Sequence, residues 1–89
     1  MFKPTKLDSR RVQVIGDAML KAKPGATSAC CVDADGGDGK YTGKADWYVE
    51  QFRKLYPSLI IVGTFPGQSS GITVIKLEAP PFRKRPSNN

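Results

Sequence analysis

Histidine is absent from this 89-residue chain, and its absence excludes several kinds of chemistry. Imidazole is the commonest general base in enzymes and the usual partner of a serine or cysteine nucleophile. With no imidazole and only two cysteines, the chain cannot supply the four nitrogen and sulfur ligands of a typical structural zinc site. We therefore expect a protein that is not an enzyme and that holds no cofactor.

Long apolar runs are also missing. No run approaches the roughly 20 residues that a helix needs to cross a bilayer, and no hydrophobic segment of a secretion signal follows the first lysines. We expect no contact with a membrane, a cytoplasmic location, one domain over residues 1–79, and a basic, disordered tail over residues 80–89. A domain this small buries only about 60% of its unfolded surface, so a homodimer would add stability.

The two cysteines, Cys30 and Cys31, are adjacent. Neighbouring side chains on a strand point to opposite faces, so a disulfide between them would be strained. We expect both thiols to pack in a central strand and to react slowly with thiol reagents. The alternative is a reactive thiol, which needs a positive neighbour to lower its pKa.

Two amphipathic helices are predicted by the spacing of apolar residues. The first starts beside Asp8 and Ser9, covers about residues 9–22, and ends before Pro24. The second covers about residues 46–55. Their buried stripes are predicted to contain Val12, Ile15, Gly16, Met19, Leu20 and Ala22 in the first helix, and Tyr48, Val49, Phe52, Leu55 and Tyr56 in the second.

Three strands are predicted, at Thr27–Val32, Leu59–Phe65 and Ile72–Glu78, with a hairpin loop over residues 66–71. Residues 1–7 are interrupted by a proline and supply at most a short edge strand. The element order α-β-α-β-β predicts an α+β two-layer sandwich, with both helices on one face of a mixed three- or four-stranded sheet.

In order of elements the chain resembles the C-terminal domain of bacterial initiation factor three, the Alba chromatin proteins and the small sulfur-carrier proteins. The resemblance covers topology alone, and a shared fold does not imply a shared function. The Cys-Pro dipeptide of the sulfur carriers is not present, because Val32 follows Cys31.

Aspartates and glycines dominate residues 33–43. Asp33, Asp35 and Asp38 are the one cluster of carboxylates that could gather a hard cation such as Mg²⁺. The cluster does not match an EF-hand loop, because Lys44 stands where the bidentate glutamate belongs. A turn whose aspartates cap their own backbone is the favoured interpretation, and a metal-dependent enzyme is the third hypothesis for function.

The fourteen Lys and Arg residues give a net charge of +6 and crowd toward the two ends of the chain. Arg10 and Arg11 are predicted at a helix N-terminus, where positive charge becomes favourable once an anion docks. The leading hypothesis is a non-enzymatic nucleic-acid-binding module, for DNA or RNA alike. The predicted phosphate contacts are Lys3, Lys6, Arg10, Arg11, Arg53, Arg83, Lys84 and Arg85, and the predicted base-stacking residues are Tyr41 and Trp47.

Two alternatives stay open at this point. The same basic surface could dock on an acidic protein, which would make the chain a protein-binding module or an inhibitor. Trp47 could be a lid over the entry to the second helix instead of an exposed contact residue.

Overall fold

The computed structural model describes residues 2–33, 43–67 and 71–81. The predicted α+β class and the element order are confirmed. The elements are α1 (Lys6–Lys21), β1 (Thr27–Asp33), α2 (Lys44–Leu55), β2 (Ile60–Pro66) and β3 (Ile72–Glu78).

The three strands form one sheet in the order β1-β3-β2, and both pairings are antiparallel. β1 and β2 therefore run parallel to each other on either side of β3, as in a split β-α-β unit. The predicted hairpin of β2 and β3 is confirmed, with a bulge between Ile61 and Gly63. The predicted mixed sheet is wrong, because both pairings are antiparallel. The optional N-terminal edge strand does not form within the described residues before Lys6, which leaves three strands.

The core lies between the two helices and one face of the sheet. The predicted alternation in β3 is confirmed, since Ile75 and Leu77 are buried while Lys76 is exposed. Leu20 and Leu55 were predicted in the buried stripes, but both are exposed. The largest fully buried side chains are Val12 of α1, Tyr48 and Phe52 of α2, Cys30 and Val32 of β1, and Ile75 and Leu77 of β3.

A capping box starts α1 earlier than predicted. The backbone N–H of Asp8 donates to Thr5 Oγ1 at 3.3 Å, and the backbone N–H of Thr5 donates to Asp8 Oδ2 at 2.9 Å. This reciprocal pair satisfies two backbone donors and places Thr5 at the N-cap. Arg10 and Arg11 therefore lie in the second turn, so their predicted place at the helix N-terminus is wrong.

Two contacts set α1 and α2 side by side in the same direction. Tyr48 of α2 meets Asp8 of α1, and Tyr56, the C-cap of α2, meets Gly16 of α1. A Cβ built on Gly16 would lie 2.6 Å from Cδ2 of Tyr56, so the ring occupies the space above the glycine. The same aromatic residue donates from its hydroxyl to Asp17 Oδ1 at 2.9 Å.

Candidate nucleic-acid interface

A shallow cleft of about 380 Å³ runs along the solvent side of the first half of α1. Lys6, Ser9, Arg10 and Gln13 recur at helical spacing along it, so four side chains with hydrogen-bond donors share one face. Among the described residues that line it, none is acidic. We call this surface the α1 cleft; its lining is completed by Pro4 and Thr5.

The acidic residue of this helical turn faces inward. Asp8 is only 9% exposed, and its Oδ1 accepts a 2.7 Å hydrogen bond from the hydroxyl of Tyr48. Burial raises the pKa of Asp8, but hydrogen bonds from Thr5 and Tyr48 and the charge of Lys44 outweigh it and hold the pKa below its ordinary value. The carboxylate of Asp8 is therefore ionised and directed into the protein. Lys6 and Arg10, on the outer side of the same turn, have no acidic residue beside them in the lining of the cleft.

Arg11 is turned away from the α1 cleft. Its Nη2 donates to the carbonyl oxygen of Cys31 at 2.6 Å, and its guanidinium lies 5.7 Å from the ring centroid of Tyr48. One guanidinium therefore ties α1 to the edge of β1 and to α2. Arg11, a predicted phosphate contact, is thus used in packing within the fold. Its neighbour Arg10 lines the cleft.

Trp47 is half-buried at the start of α2. Its ring packs edge-on against Phe2 at 5.7 Å and against Tyr48 at 5.2 Å between centroids. The ammonium of Lys44 lies 5.8 Å from the ring centroid of Phe2, so the N-terminal segment is held against α2. This packing is that of the predicted lid, and base stacking by Trp47 remains a prediction.

Two further predicted contact residues, Lys3 and Arg53, are described and lie apart from each other in the sequence. Lys3 is exposed just before α1, close in sequence to the cleft, while Arg53 is exposed in the last turn of α2 and does not line it. Four predicted contacts lie outside the described residues: Tyr41, Arg83, Lys84 and Arg85.

The prediction for the cysteines is half wrong. Cys30 is buried, and burial raises its pKa, but Cys31 is exposed. The reason is that successive side chains of a strand alternate between the two faces of the sheet, and the described helices pack on one face alone. β1 is also an edge strand and not the central strand that was predicted. Cys31 points to the face of the sheet that carries no helix, opposite to its buried neighbour.

Of the predicted aspartate cluster, Asp33 is exposed at the end of β1, and Asp35 and Asp38 lie outside the described residues. Within the described residues, no group of three or more histidine, cysteine, aspartate or glutamate side chains is placed to hold a metal ion. No described helix is both long and apolar enough to span a membrane.

Ser9 and Gln13 are lining residues that the sequence prediction missed. They follow Lys6 at offsets of three and seven, which is the periodicity of one helical face. The signal was hidden because the helix was predicted to begin at about residue 9. The Thr5-x-x-Asp8 pattern of a capping box marks the true start.

Comparison of the chain with protein-family models, with curated proteins and with solved structures gives no match.

Proposed function

We propose that this protein is a small, non-enzymatic binding module of the cytoplasm that contacts the phosphates of a nucleic acid through its basic residues. The single observation that carries the proposal is the α1 cleft, where Lys6 and Arg10 stand one helical turn apart beside two neutral donors. Lys3 and the tail residues Arg83, Lys84 and Arg85 are the further contacts that the sequence supplies.

Burial of Asp8 supports a phosphate ligand. A carboxylate on the outer face of this turn would repel an anion, but Asp8 is directed toward Tyr48 and is enclosed by hydrogen bonds. The exposed side of the cleft offers an ammonium, a guanidinium, a hydroxyl and an amide, all of which can donate to phosphate oxygens. The chain's net charge of +6 adds long-range attraction to the same polyanion.

A salt titration of oligonucleotide binding tests the proposal. Each phosphate contact releases counterions, so log affinity should fall with log salt by close to one unit of slope per duplex phosphate contacted. The double variant Lys6→Gln with Arg10→Gln should weaken binding to all sequences and reduce that slope by about one unit per lost contact. Single- and double-stranded oligonucleotides are both titrated, because the proposal does not separate DNA from RNA or one strand from two.

The matched control is Lys23→Gln with Lys54→Gln, which removes the same net charge from outside the cleft. Both lysines are exposed, one after the end of α1 and one in α2. Affinity should fall less in this control than in the cleft variant, since only long-range attraction is lost. Equal losses would mean that charge alone governs binding and that the cleft is not the contact.

The tail is tested separately by replacing Arg83, Lys84 and Arg85 with alanine.

Absence of oligonucleotide binding at low salt would reject the nucleic-acid proposal. The alternative function, a protein-binding module or inhibitor that docks on an acidic protein, would then be preferred. In that case a few anchor side chains should dominate the affinity, instead of an even contribution from each base.

A further inference from the structure

Within residues 2–33, 43–67 and 71–81, both helices pack on one face of the sheet and no helix covers the other. The register places Cys31 of β1, Val74 of β3 and Phe65 of β2 in one row across it, because each pairs with its neighbour. Phe65 is 46% exposed, although it is a large apolar residue. We call this surface the open face; its described members are Thr27, Ala29, Cys31, Asp33, Ile60, Gly63, Phe65, Ile72, Val74, Lys76 and Glu78.

We propose that the open face is a dimer interface, at which two copies of this chain pack sheet against sheet. The result would be a four-layer assembly with the helices outside and the two sheets about 10 Å apart. The proposal does not depend on nucleic-acid binding, because the α1 cleft belongs to the helical layer.

The charge of the open face favours a second copy over a polyanion. Its described charged residues are Lys76, Glu78 and Asp33, so the face is slightly negative on a chain whose net charge is +6. Phosphates or an acidic protein would be repelled by the two carboxylates. Two basic copies, in contrast, repel each other least where each presents both signs of charge and few bases.

The edges of the sheet oppose the other mode of self-association, in which strands pair edge to edge. In the edge strand β1, the carbonyl oxygen of Cys31 accepts a hydrogen bond from Arg11. The other edge strand, β2, contains a bulge and ends at Pro66. Bulges, prolines and charged side chains at edges are common devices against strand addition. Among the described residues, the row of Cys31, Val74 and Phe65 across the open face contains no proline and no charged side chain.

The shape and size of the face suit a weak dimer. The ring of Phe65 lies over Gly63, since a Cβ there would be 3.3 Å from its Cζ, so the aromatic group fills the gap left by the glycine. Three strands of seven residues give a footprint of roughly 300 Å². Specific interfaces begin at roughly 600 Å² per partner, so a face of this size supports weak association. We therefore expect a concentration-dependent dimer.

The test combines sedimentation with thiol labelling of the wild-type protein from about 1 μM to about 1 mM. The average mass should rise toward that of a dimer, and labelling of Cys31 should slow over the same range. Cys30 is the internal control, because it is buried in the monomer and should label slowly at every concentration. The Cys31→Ser variant should dimerise as well, which separates sheet packing from an intermolecular disulfide.

Phe65→Thr should raise the dimer dissociation constant by about tenfold or more, since a central aromatic contact is lost. Leu55→Gln is the matched control: Leu55 is 49% exposed but lies on α2, so dimerisation should be unchanged. If Phe65→Thr fails to fold, Val74→Thr replaces it in the same row.

Three results would overturn the proposal. The first is a monomer over the whole range with constant labelling of Cys31. The second is a dimer that leaves Cys31 reactive and tolerates Phe65→Thr, because its interface would lie elsewhere. The third is a monomer in which an oligonucleotide protects Cys31, because the open face would then bind nucleic acid.

Discussion

The hydroxyl of Tyr48 and the carboxylate of Asp8, forty positions apart in the chain, are joined by a buried hydrogen bond of 2.7 Å. The second carboxylate oxygen accepts from the backbone and the hydroxyl of Thr5 at 2.9 and 3.1 Å. One side chain therefore caps α1 and anchors α2 to it. Both oxygens have partners, which is the condition for keeping a charge at a site this enclosed.

Tyr48→Phe should lower the free energy of unfolding by about 1.5–3 kcal/mol, because a hydrogen bond to a charged group is lost in a buried place. Urea denaturation measures the loss. Tyr56→Phe is the control, since its hydroxyl donates to the exposed Asp17, and there the loss should stay below about 1 kcal/mol. Equal losses in the two variants would contradict the role assigned to Tyr48.

The same pair predicts how stability depends on pH. Because the pKa of Asp8 is held below its ordinary value of 3.8, its stabilising effect is present above that value and is lost as the pH falls through the folded pKa. Burial and the hydrogen bond to Asp8 raise the pKa of Tyr48 from 10.0 to about 12, despite the opposing effect of Arg11, so its effect is lost as the pH rises through that window.

Two variants separate these contributions in urea titrations over pH. Asp8→Asn should be less stable than wild type near pH 7, and the difference should shrink below about pH 4. Tyr48→Phe should lose the alkaline decline that belongs to the phenol. A constant difference between Asp8→Asn and wild type across the acid range would show that the carboxylate charge is not what stabilises the junction.

Gly16→Ala should destabilise the protein by about 1–3 kcal/mol, although alanine is the better helix former by about 1 kcal/mol. The methyl group would overlap the ring of Tyr56, which must then move away from α1. The thermal midpoint gives the effect. In a Tyr56→Ala background the same change should become neutral or stabilising, because the space is empty. Destabilisation of equal size in both backgrounds would place the cause elsewhere.

The neighbouring arginines of α1 should behave oppositely. Arg11→Gln should lower the free energy of unfolding by about 1 kcal/mol, because it removes the hydrogen bond to Cys31 and the contact with the Tyr48 ring. Arg10→Gln should leave stability within about 0.5 kcal/mol and weaken oligonucleotide binding. Each variant is compared by denaturation and by salt titration. If the two variants lose the same stability and the same oligonucleotide affinity, Arg10 and Arg11 do not have the different roles assigned to them.

The two adjacent cysteines should also differ in how much each contributes to stability. Cys30→Ser should destabilise the fold by about 1–3 kcal/mol, since it buries a hydroxyl among Val32, Ile75 and other core side chains. Cys31→Ser should change the stability of the dilute protein by less than about 0.5 kcal/mol. Thermal denaturation at low protein concentration tests both. A larger loss in Cys31→Ser would mean that its side chain packs inside the monomer.

The sequence predicted elements better than it predicted their arrangement. β3 was predicted with its observed bounds, because alternation of apolar and polar residues is a local signal. The predicted start of α1 was wrong because Asp8 was interpreted as a residue before the helix, whereas it is the third residue of the helix and closes the capping box with Thr5. The predicted apolar stripe begins only at Val12. Local pattern alone therefore does not show whether Asp8 precedes the helix or lies in its first turn.

Strand order lies beyond local pattern. The composition of Thr27–Asp33 is that of a buried strand, and nothing in it reveals that β3 and not β1 is central. The exposure of Cys31 follows from the side-chain alternation of β1, since its neighbour Cys30 faces the core. Lys6 and Arg10 were predicted as candidate contacts from charge alone, but the inward turn of Asp8 depends on a tyrosine forty positions away.

The central place of β3 has a consequence for how the protein is made. β1 and β2 flank β3 and do not touch each other, so neither has a strand partner in the sheet until Ile72–Glu78 has left the ribosome. During synthesis the nascent chain can form helices but not this sheet. The apolar residues of β1 and β2 are therefore exposed to solvent, or bound by a chaperone, until β3 has been made. Because α2 and β2 separate β1 from β3 in the sequence, closure of the β1–β3 pairing should set the rate at which the released protein folds.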